Sequence, residues 1–130
     1  MNIVRITLVI LAGAIGVVLT EVFTMTILNV APLDLDLTSN LFVSVVTPAV
    51  LMVHLLLSLI FWKAFEPEPM RSSMIFIASH AGLQAYELFT FNNPPADVAA
   101  YITIIVLSGL AVTWVFRRYF WCPACARIGN

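Results

Sequence analysis

Charge is scarce in this sequence: six basic and seven acidic residues among 130, or 10%, against about a quarter in an ordinary soluble domain. Long polar stretches are missing as well, so no soluble catalytic domain can be assembled from what separates the apolar runs. There is no internal repeat, no heptad array and no phosphate-binding glycine loop. An enzyme acting alone is therefore not expected. Any chemistry has to sit between helices, in short loops or in a partner chain.

What is present is apolar. Hydrophobic residues make up 62% of the chain and the mean hydropathy is +1.02, which excludes a soluble protein. Four apolar segments run over 3–30, 41–61, 74–91 and 101–121. A membrane helix needs about 20 such residues to cross a hydrocarbon core of roughly 30 Å. Three segments meet that length and 74–91 lies near the lower limit, so the expectation is an all-α, integral membrane bundle of four transmembrane helices forming one domain. An N-terminal signal peptide is the competing reading, because Arg5 precedes an apolar run containing Ala12, Gly13 and Ala14. That run continues far beyond Ala14, which favours a retained helix.

All six cations, Arg5, Lys63, Arg71, Arg117, Arg118 and Arg127, fall on one side of this topology, while the other two loops carry Asp34, Asp36 and Asp97. The positive-inside rule then puts both termini and the middle loop in the cytoplasm of a multi-pass cell-membrane protein. Trp62, Phe65, Trp114, Tyr119, Phe120 and Trp121 gather near the same boundary, as headgroup-level anchors do. Asp36 or Thr38 is placed to cap the second helix. Gly13 and Gly16 offer a thin patch for close helix approach, and Pro48 falls inside the second span, where a kink is expected.

An ionisable side chain in lipid is costly unless it faces protein or a ligand, so the few within the spans become the candidates: Glu21, His54, His80 and Glu87, with the polar Gln84. Ser44, Thr47, His54 and Ser58 follow helical spacing on the second span, and His80, Gln84 and Glu87 on the third. The two stripes suggest one interior seam. At about 1.5 Å per residue, His54 lies roughly 12 Å and His80 roughly 9 Å from the cytoplasmic side, nearly one level. Glu87 and Glu21 belong to an outer layer, about 6 Å and 13 Å from their helix ends. If they share a site, at least one of these carboxyls is expected to be protonated. Thr20, Thr24 and Gln84 are candidate hydrogen-bond partners.

The histidine pair admits several chemistries. One imidazole from each side would ligate a haem b. Two histidines with a carboxylate would suit zinc, iron or copper, although the depth of Glu21 weakens that version. Neutral imidazoles bonded to hydroxyls, carbonyls or each other would simply join helices. A fourth reading is a proton path through Glu21, Glu87 and the histidines, since imidazole exchanges protons near neutral pH. Packing of adjacent helices at about 8–10 Å leaves a porphyrin no place without help from the Pro48 kink.

Near the end of the chain, Trp121, Cys122, Pro123, Ala124 and Cys125 resemble the redox box of thioredoxin-like proteins. That chemistry needs a βαβ scaffold, which five further residues do not supply. Cys122 and Cys125 would also make half of a tetrahedral zinc site completed by another chain, or remain reduced, inert thiols. In size, and in carrying histidines on membrane helices, the chain resembles the small haem-bearing anchors of respiratory complexes such as succinate dehydrogenase. The resemblance implies an accessory or anchor subunit of a larger, redox-active membrane complex. Lipid and other membrane subunits, not nucleic acid, are the expected partners.

Overall fold

The computed structural model describes the backbone of residues 3–30, 40–64 and 69–119, and the side chains of residues 3–30, 43–60 and 70–119. Four helices account for nearly all of this: α1 (Ile3–Val30), α2 (Asn40–Ala64), α3 (Pro69–Thr90) and α4 (Pro95–Tyr119). α1, the apolar stretch of α2 and α4 are long and apolar enough to cross a membrane. α3 is not among them, because Ser72, Ser73, His80, Gln84 and Glu87 all lie along it. Its 22 residues nevertheless extend about 33 Å. Exposed large apolar side chains such as Leu8, Val18, Leu55, Leu59, Phe89 and Leu107 suit contact with lipid.

The helices outrun the apolar segments. α3 begins five residues before Met74, and α4 six residues before Tyr101. The second difference has a local cause. α3 ends where Asn92 takes the left-handed conformation (φ 58°), which asparagine tolerates better than most residues. The N–H of Asn93 then donates to the carbonyl of Leu88, and that of Asn92 to the carbonyl of Phe89, both at 3.1 Å, which is the Schellman pattern. Pro95 takes the first helical position of α4, where no N–H is needed, and Asp97 places negative charge in the first turn. The stretch Asn92–Ala100, expected as a loop, thus shrinks to a tight turn.

Around the bundle the order is α1, α2, α4, α3: α1 packs on α2 and α3, and α4 packs on the same two. α2 and α3, consecutive in sequence, meet only sparsely across a diagonal. In lipid, packing and hydrogen bonds between helices hold such an assembly together, since lipid tails are as apolar as leucine. Val9, Ala12, Val53, Leu57 and Phe76 form one core cluster, and Val46, Val50, Ala81, Tyr101 and Ile105 another. A third, with Val112 and Phe116, lies at the end bearing Arg117 and Arg118.

Close approach depends on glycine at three positions. A Cβ on Gly13 would collide with the Ser79 side chain, and one on Gly16 would sit 3.3 Å from the Phe76 ring. The patch expected on α1 is therefore where α3 docks. Gly109 does the same for α4, where a Cβ would come 2.9 Å from Cε1 of His54. α2 runs through Pro48 as a helix.

Candidate functional site

His54 and His80 are 1% and 0% exposed and fill the diagonal between α2 and α3. Nδ1 of His80 lies 3.2 Å from Nε2 of His54, and the rings are stacked with centroids 5.2 Å apart. On its other side, His80 Nε2 is 3.4 Å from the hydroxyl of Thr20, which donates to the Gly16 carbonyl at 2.8 Å. These contacts fix a direction. With its proton committed to Gly16, Thr20 can only accept from His80 Nε2–H; His80 Nδ1 then accepts from His54 Nε2–H. The chain reads His54 to His80 to Thr20 to the α1 backbone. Phe76 packs on both imidazoles, with centroids 4.9 Å from His54 and 5.8 Å from His80.

This arrangement does not fit a haem. Axial ligation requires the two imidazoles to face an iron from opposite sides of a porphyrin, whereas here they are bonded to each other with no gap between them. Nor does a three-ligand metal centre form: among the described residues no group of three or more His, Cys, Asp and Glu side chains could hold a metal ion. Cys122 and Cys125 lie outside the described residues, as do Asp34, Asp36 and Thr38.

The expected polar stripe on α2 holds only in part. His54 and Ser58 are buried, Thr47 is half-buried and Ser44 is exposed. At about 100° per residue Ser44 is rotated roughly 80° from His54, enough to carry it to the rim. On α3, His80 and Gln84 are buried and Glu87 half-buried. Beyond the histidines, toward the end bearing Arg71 and Arg117, lie the buried hydroxyls of Ser58, Ser72 and Ser73. The Ser73 hydroxyl has no hydrogen-bond partner.

At the opposite end the bundle opens into a cavity of about 680 Å³, lined by the C-terminal halves of α1 and α3 with Val46 and Tyr101. Glu21 and Glu87 both line it. Two carboxyls at one site repel as a pair of anions, and they bond to each other only around a proton. Gln84, 2% exposed, donates its Nε2–H to Glu87 at 3.2 Å. Its Oε1 has no partner, and neither has the Thr24 hydroxyl.

Of the three candidate partners for the carboxyls, Gln84 bonds Glu87, whereas Thr20 lies against His80. Sequence reasoning had no role for Tyr101, which lies close enough to feel the charge of both glutamates, nor for Gly109. The adjacent small residues Ser108 and Gly109 in mid-helix were the available signal for the latter. No protein-family model matches this sequence, and no curated protein or solved structure is similar to it beyond chance.

Proposed function

We propose that this chain is a multi-pass membrane protein that exchanges protons within its bundle, with the Glu21–Glu87 pair as the station at the cavity and the His54–His80–Thr20 chain as the station below it. The observation that carries the reading is the directional chain from imidazole to imidazole to hydroxyl, buried inside the bundle. A proton arriving at His54 Nδ1 would release the Nε2 proton to His80 Nδ1, His80 would pass its own from Nε2 to the Thr20 hydroxyl, and Thr20, turned away from the Gly16 carbonyl, would release its proton toward the carboxyl pair. Each ring ends as the other tautomer, and no charge stays behind. Thr24 and Gln84, both with an unsatisfied polar atom, line the cavity beside the carboxyl pair.

Because so little lies outside the helices, the chain would serve as an accessory subunit, handling protons for a larger membrane complex. The test is reconstitution, with any chains that accompany the protein in mild detergent, into vesicles holding a pH-sensitive dye, driven by a potassium diffusion potential. Proton uptake above that of empty vesicles is expected, and loss of it in Glu87→Gln and His80→Phe. Infrared spectra in the same preparation should show a protonated-carboxyl C=O band that titrates with pH and disappears in the double variant Glu21→Gln, Glu87→Gln. Absence of both proton uptake and a titrating band would overturn the proposal.

A further inference from the structure

We infer that the cavity between α1 and α3 is a binding site for an amphipathic organic cation with N–H groups, an aryl- or alkylammonium ion, taken up in exchange for the proton held by Glu21 and Glu87. The inference rests on the proton-exchange reading above and names what the proton is exchanged for.

The first argument is the polarity of the lining. Glu21 and Glu87 supply carboxyl oxygens, and Gln84 turns its only donor group to Glu87. That leaves Gln84 Oε1, on a side chain 2% exposed, as a buried acceptor with no donor. An orphaned buried acceptor is costly unless something donates to it. No Lys or Arg lines the cavity. What is missing from this wall is a positively charged donor.

The second argument is size and surface. At about 680 Å³ the cavity is far larger than a bare ion and falls in the usual range for small organic ligands. Its remaining wall combines the neutral polar Thr24, Thr26 and Asn29 with apolar and aromatic residues, including Met25, Phe91 and Tyr101. Aromatic faces attract ammonium ions and also cover hydrocarbon. A desolvated metal ion would gain nothing from these surfaces, whereas an ammonium carrying an aryl group would use both. Glu21 is exposed, at the open edge, and gives the cation a way in.

The step balances. One monovalent cation enters, the proton shared by the carboxyls leaves, and the charge of the cavity is unchanged. The ammonium N–H groups donate to Glu21, Glu87 and Gln84 Oε1 in place of the carboxyl proton.

The test uses the full chain in detergent with 2-phenylethylammonium as probe, binding followed by calorimetry and proton release counted in weakly buffered solution. Saturable binding is expected, with one proton released per amine where the infrared band shows a protonated carboxyl. Within that range affinity should fall about tenfold for each unit by which the pH is lowered. Glu21→Gln and Glu87→Gln should each abolish the release and weaken binding at least about tenfold, and Gln84→Leu should weaken binding while leaving the release intact. Equal binding of neutral 2-phenylethanol, binding independent of pH, or displacement of the proton by sodium or calcium in place of the amine would overturn the inference. A titrating carboxyl band without amine binding overturns this inference alone; no titrating band, no vesicle uptake and no amine binding removes the proton-exchange reading as well.

Discussion

Nδ1 of His80 stands 3.2 Å from Nε2 of His54, a polar contact that ties α2 to α3 across the diagonal of the bundle. Both imidazoles are buried, so each is the other's replacement for water. A buried polar group that loses its partner bears the full cost of desolvation, about 1–3 kcal/mol, and an emptied site adds a cavity term.

Replacing either histidine by alanine should therefore lower stability by about 2–4 kcal/mol. The double variant should cost less than the sum of the singles, because the second change removes a partner already orphaned. Thermal unfolding of the four proteins in one detergent measures the coupling; strict additivity would mean that the contact contributes nothing.

Thr20→Val keeps the shape of the side chain but leaves His80 Nε2–H without its acceptor. A loss of about 1–3 kcal/mol is expected, with Thr20→Ser close to the parent. The same pair of variants should separate in nitrogen NMR of the histidines, where only valine removes the bias toward one His80 tautomer.

Gly109→Ala drives a methyl group into Ile77 and Cε1 of His54, an overpacking expected to cost about 1–3 kcal/mol. Gly82 meets nothing within 4 Å of a built Cβ, so Gly82→Ala should be neutral or stabilising by up to about 1 kcal/mol through helix propensity. Unfolding midpoints of the two variants should move in opposite directions.

Ser73 is 1% exposed and its hydroxyl has no partner. Ser73→Ala removes an unsatisfied polar atom and should leave stability unchanged or raise it by about 1 kcal/mol. A marked loss would reveal a hydrogen bond at that hydroxyl in the membrane.

The charge distribution predicts which end faces the cytoplasm. With Cys122 and Cys125 replaced by serine, Asp97→Cys should react with an impermeant maleimide added to intact cells, and Arg118→Cys only after the membrane is opened. The reverse pattern would invert the topology.

Periodicity and composition are local properties, and they determined much of this protein. The apolar runs specify long helices, three of them apolar enough to cross a membrane, and the small residues of α1 mark a docking face. The spacing of His80, Gln84 and Glu87 puts them on one side of α3, because a helix turns about 100° per residue wherever it is placed. The ends of α3 and α4 were less legible, since Asn92 and Pro95 act through backbone geometry and hydropathy does not register them. Which stripe meets which was decided by tertiary structure alone. Two histidines at one depth can flank a cofactor or touch, and the distance between their helices depends on the cyclic order of the bundle. With α2 and α3 on a diagonal and α4 drawn in at Gly109, the imidazoles touch. The same order brings Glu21 of α1 to Glu87 of α3 above them and opens the cavity that both line.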